Sequence, residues 1–69
     1  MISFYKDGSK IQFEGYKGIV TAITETYRKN VLVVKVTEFP KYKQSKHNIT
    51  SIGLFEYPDG RLEFMSFID

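Results

Sequence analysis

The chain contains no cysteine and no tryptophan, a single histidine and a single alanine. Without cysteine there can be no disulfide and no thiolate cluster, so the staples that hold many small domains together are excluded. One histidine, His47, cannot form the usual histidine-based metal site, and no metal or other cofactor is expected. The longest aliphatic run, Val31 to Val34, is far below the roughly 18 residues needed to span a bilayer. Met1 to Lys6 holds one lysine and no apolar stretch, so no signal peptide is visible and a cytoplasmic location is expected. Charge of one sign is scarce too. Ten Lys+Arg against eight Asp+Glu leave a net charge of +2, a smaller excess than a dedicated nucleic-acid-binding domain usually carries.

What is present points to sheet. Ile, Val, Thr, Tyr and Phe make up 28 of the 69 residues, whereas Ala and Leu together supply four. Summed over the chain, that contrast favours strands over helices. A chain this short holds one domain, and ordering it costs roughly 100 kcal/mol of conformational entropy, so nearly every large apolar side chain must be buried. Isoleucine and lysine are heavily used, as in an AT-rich genome such as that of a low-GC bacterium or one of its phages.

Turn residues divide the chain into three hairpins. A two-residue Asp7-Gly8 loop, with both residues at positive φ, predicts a first hairpin that sets Phe4 opposite Ile11 and Ile2 opposite Phe13. Arg28-Lys29-Asn30 joins Gly18–Tyr27 to Val31–Phe39 in a second. Its predicted register places Val20, Ala22, Leu32, Val34 and Val36 on one face and Ile23, Tyr27, Val31 and Val33 on the other. Ile19, Ile23 and Tyr27 also fit helical spacing, so a helix over Lys17–Lys29 is the rival to this strand. In the third hairpin Ile49–Tyr57 turns through Pro58-Asp59-Gly60 into Arg61–Ile68. Proline presets the first central φ and glycine accepts the left-handed step. Leu54 then faces Phe64, joined by Ile52 and Leu62, while Phe55, Tyr57, Met65 and Phe67 occupy the second face. The expected architecture is all-β: a small five- or six-stranded antiparallel barrel or strongly twisted sheet.

Ile11-Gln12-Phe13, Gly15-Tyr16-Lys17-Gly18-Ile19-Val20, Ile23 and Val31-Leu32-Val33-Val34 are spaced in a way that resembles a KOW motif, the glycine-containing hairpin of some ribosomal and transcription-factor barrels. The resemblance covers about a third of the chain and lacks the Gly-Asp usual ahead of the first strand. It implies a small barrel.

Catalysis is not expected. Nucleophilic chemistry needs a hydroxyl or thiol beside a base, and His47 stands in a lysine-rich loop with no carboxylate close in sequence. The five glycines are single residues, so no phosphate-cradling loop is present. A barrel of this size has little room for a substrate pocket of the usual ~300 Å³ or more, and no small-molecule substrate is expected. Asn48-Ile49-Thr50 matches a glycosylation acceptor by chance composition. Two binding roles remain. Phe55, Tyr57, Met65 and Phe67, extended by Tyr5 or Tyr16, form an aromatic face suited to a protein partner or to self-association, as in an adaptor or inhibitor of the phage or mobile-element kind. Alternatively, Lys41, Tyr42, Lys43, Lys46 and His47, with Arg28 and Lys29 if these lie near, supply cations and rings for RNA or DNA. The near-neutral charge favours the protein partner.

Overall fold

The computed structural model describes residues 1–41 and 50–68. Its strands are β1 (Lys10–Phe13), β2 (Tyr16–Glu25), β3 (Asn30–Glu38), β4 (Ser51–Glu56) and β5 (Leu62–Ile68). They form one antiparallel sheet in chain order, so each strand pairs with its neighbours in sequence. The protein is all-β, and the segment with helical spacing is strand β2 followed by a turn. Among the described residues, β1 and β5 are the two edge strands. The sheet is twisted and open, so of the two expected architectures the twisted sheet is the one found.

One face of the sheet, the inner face, carries the core: Ile11, Tyr16, Val20, Leu32, Val34, Ile52 and Leu54, all buried. Along β1, β2 and β3 these residues alternate with exposed or half-buried ones, the period-2 pattern of a sheet packed on one side, while in β4 Gly53 is buried between Ile52 and Leu54. The sheet curls enough to bring inner-face rings of distant strands together. Tyr16 of β2 lies 6.5 Å from the Phe67 ring of β5 and 5.8 Å from Phe39. Three bulges increase that twist, at Thr21 in β2, Thr37 in β3 and Met65 in β5. At the first two, the threonine hydroxyl donates to a carbonyl of the facing strand: Thr21 to Val33 at 3.3 Å and Thr37 to Lys17 at 3.2 Å.

The first hairpin differs from expectation. A two-residue turn of type I′ needs positive φ at both central residues. Asp7 does not adopt it; Glu14 and Gly15 do, at 46° and 89°. The tight turn therefore joins β1 to β2, setting Phe13 against Tyr16 and Ile11 against Gly18. Lys6–Ser9 still turns, with the Ser9 N–H donating to the Lys6 carbonyl at 2.9 Å and Gly8 at φ 91°. With positive φ only at the second central residue, that turn redirects the chain instead of folding a strand back. Ile2 and Phe4 are consequently not paired with β1 and remain 87% and 68% exposed. Glutamate rarely takes positive φ, which hides the true turn; a glycine between Phe13 and Tyr16 is its one sequence signal.

In the second hairpin the turn is Thr26–Lys29, and Glu25 faces Asn30 where Tyr27 facing Val31 is the sequence expectation. The bulge at Thr21 then rotates the rest of β2. Ile23 pairs with Leu32 and packs against the core, while Ala22 is exposed beside Val33. The third hairpin forms as its turn residues dictate. Tyr57 N–H donates to the Arg61 carbonyl and Gly60 N–H to the Tyr57 carbonyl, both at 2.9 Å, and Leu54 faces Phe64.

Residues 1–9 cover the end of the inner face near the β2–β3 turn. The Phe4 N–H donates to Glu56 Oε2 at 2.8 Å, and Tyr5 packs against the core. Glu56 is fully buried and accepts a second bond, at 3.0 Å, from Asn30 Nδ2. Asn30 Oδ1 accepts in turn from the Thr26 N–H at 3.3 Å. One carboxylate thus ties β4, β3 and the N-terminal segment together.

Candidate functional site

The other face of the sheet, the outer face, is assembled by register. Across β2, β3, β4 and β5, one row runs Thr24, Val31, Phe55, Glu63 and the next runs Ala22, Val33, Gly53, Ser66. Met65, the bulged residue, shares the second row. Its side chain lies over Gly53, where a Cβ would overlap Met65 Cε. A third row holds Ile19, Lys35, Ser51 and Ile68. The centre is therefore apolar: Val31, Val33, Phe55, Met65 and Ile68 are half-buried, and no other strand among the described residues packs above them.

Cations rim this patch. Lys29 Nζ stands 4.0 Å from the centroid of the Phe55 ring and 5.9 Å from that of Tyr57. The Arg61 guanidinium stacks on Tyr57 at 4.2 Å. Solvent-accessible contacts of this kind are worth about 0.5–1 kcal/mol each. Lys10 and Lys35 flank the opposite end by register, and Lys17 pairs with Glu38 at 3.7 Å. The Tyr57 hydroxyl donates to Glu63 Oε1 at 2.6 Å. That bond, with partial desolvation and the nearby Glu63 charge, raises the phenol above its ordinary pKa against the pull of Arg61, so Tyr57 stays a neutral donor.

Of the four residues assigned to the aromatic face from sequence, Phe55, Tyr57 and Met65 belong to it and Phe67 does not. The Met65 bulge adds one residue to β5, so Phe67 faces Ile52 on the inner face and lies 5.0 Å from the Phe64 ring. Tyr5 and Tyr16 are inner-face residues as well. The expected basic footprint also divides. Arg28 and Lys29 sit in the β2–β3 turn, whereas Lys41 follows the far end of β3, a strand of nine residues and hence about 30 Å long. Tyr42, Lys43, Lys46 and His47 lie outside the described residues. Lys29 instead joins the aromatic face through Phe55.

Val31 and Val33 were readable as a strand face, but their union with Phe55 and Met65 requires the pairing of β3 with β4, which no turn residue announces. Among the described residues no three of His, Asp and Glu gather as a metal-binding group, and no helix is long and apolar enough to cross a membrane. Comparison with known proteins finds no family model, no curated protein and no solved structure that matches the chain. The residues that resemble a KOW motif form β1, its turn, β2 and the start of β3.

Proposed function

We propose that the chain is a binding module without catalysis of its own, and that it docks a protein partner on the outer face of its sheet. The carrying observation is the mixture at the patch centre: aliphatic Val31, Val33 and Met65 beside an aromatic ring that already has a cation over it. Nucleic-acid bases stack on open ring faces. Here Lys29 occupies Phe55 and Arg61 occupies Tyr57, while the remaining surface is branched or flexible aliphatic. Such a centre suits apolar side chains, and the basic rim suits acidic residues around them. An adaptor or an inhibitor of a larger protein is the corresponding role, and an acidic, apolar surface is the partner's chemistry.

Phe55→Asp tests this reading. The variant should stay folded, because Phe55 lies outside the core, and should weaken partner capture by about 30-fold or more, the effect of losing one aromatic anchor. Anisotropy of labelled single-stranded RNA and duplex DNA should show no binding at low salt. Salt-dependent nucleic-acid binding that survives Phe55→Asp would overturn the proposal.

A further inference from the structure

We propose that β5 is a self-association edge, pairing antiparallel along its free side with β5 of a second copy of this chain. β5 has seven residues and, among the described residues, bonds only to β4, so within them its other side presents unpaired backbone donors and acceptors. Soluble proteins guard such an edge with lysine, proline or brevity. β1, the opposite edge, is four residues long and carries Lys10. β5 has no lysine, arginine or proline, and Glu63 is its one charge. Apolar side chains flank its backbone on both faces: Phe64 and Phe67 inside, 38% and 46% exposed, and Met65 and Ile68 outside. Only another strand satisfies the hydrogen bonds of such an edge while covering side chains above and below it.

The charge and the bulge favour a second copy as the occupant. The Met65 bulge divides β5 into two regular stretches, Leu62–Phe64 and Ser66–Ile68. A two-fold axis at the bulge lays each stretch beside the other one in the second copy. Phe64 and Phe67 from both copies then close into one inner-face cluster, extending the pair of rings already in contact at 5.0 Å. The two Glu63 residues fall on opposite sides of the axis, about four residues or roughly 13 Å apart, beyond the ~8 Å screening length. Each keeps its bond from Tyr57 on the outer face. The result is one continuous sheet of twice five strands with a closed isologous interface. This inference does not depend on the docking role, because it uses the edge and the inner-face rings.

Sedimentation velocity of the full chain over a concentration series is the test. The wild type should approach about 16 kDa, twice the 8.0 kDa chain. Phe64→Lys should weaken association by at least about 30-fold while keeping a sheet circular-dichroism spectrum. Val33→Lys, on the outer face, should remain a dimer. A wild type that sediments as a monomer throughout, or a folded Phe64→Lys variant that still dimerises, overturns the proposal. Should Phe64→Lys fail to fold, amide exchange of the wild type decides: β5 amides not bonded to β4 must gain protection as concentration rises. Concentration-independent exchange, or protection that needs an added foreign peptide, also overturns it.

Discussion

Glu56→Ala should destabilise the protein by about 2–4 kcal/mol and lower its melting temperature on the order of 10–25 °C. Glu56 is fully buried at the end of β4, and both carboxylate oxygens are engaged, one by Asn30 Nδ2 and one by the Phe4 N–H. Alanine removes the acceptor and leaves both donors without a partner in a site closed to water. It also removes the bond that holds Phe4 to the sheet, leaving Met1 tied to the Thr26 carbonyl and Gly8 and Ser9 to Val20, so Tyr5 is held less firmly over the core. Glu56→Gln keeps the shape but turns an NH₂ toward one of the two donors, and an intermediate loss of about 1–2 kcal/mol is expected. Asn30→Ala breaks the same network from the other side, so the double variant should lose less than the sum of the singles. Urea denaturation compares all four variants with the wild type. A Glu56→Ala variant within about 0.5 kcal/mol of the wild type, the range of an ordinary surface change, would refute the network's role.

Gly18→Ala should cost about 3 kcal/mol, while Gly53→Ala should change stability by less than about 1 kcal/mol. Both glycines are buried within strands, and an added Cβ overlaps a neighbour at each. The neighbours differ. At Gly18 the new methyl meets the Lys35 carbonyl oxygen and stands 2.6 Å from Val34 Cγ1. A backbone carbonyl within the β2–β3 ladder, next to the Thr37 bulge, cannot move without disturbing the pairing. At Gly53 the obstacle is the terminal methyl of Met65, which has three rotatable bonds and an open outer face to swing into. Alanine also restricts the unfolded chain relative to glycine, which offsets part of the displacement at Gly53. Thermal melts of the two variants compare them directly, and equal losses would show that Met65 is held as firmly as the backbone.

The outer-face patch joins three strands whose sequences are individually ordinary. Phe55, Tyr57 and Met65 were legible as the second face of a hairpin, because Pro58-Asp59-Gly60 specifies its turn and hence its starting register. Phe67 was misplaced by one inserted residue. A bulge reverses the facing of everything beyond it, and neither Met65 in β5 nor Thr21 in β2 differs in type from an ordinary strand residue. The same one-residue shift brought Ile23 into the core and turned Ala22 out to solvent. Lys29 was readable as a hairpin-tip cation; its position over Phe55 follows from pairing β3 with β4.

By itself the sequence determined that this protein is a sheet of short antiparallel strands. Strand-forming residues dominate it, alanine and leucine are scarce, and alternation from Val31 to Val36 marks one buried side; these are local properties, set by side-chain shape and the period of an extended backbone. The tertiary structure decided which turn is the tight one, where the bulges fall, that the sheet stays open, and that Glu56 is a core residue. A carboxylate is expected at the surface from its solvation energy alone. Only the convergence of Asn30, from β3, and the Phe4 N–H, 52 residues away in the chain, makes its burial tolerable. Contacts of that kind depend on how strands curl past one another, and curl is a property of the assembled sheet.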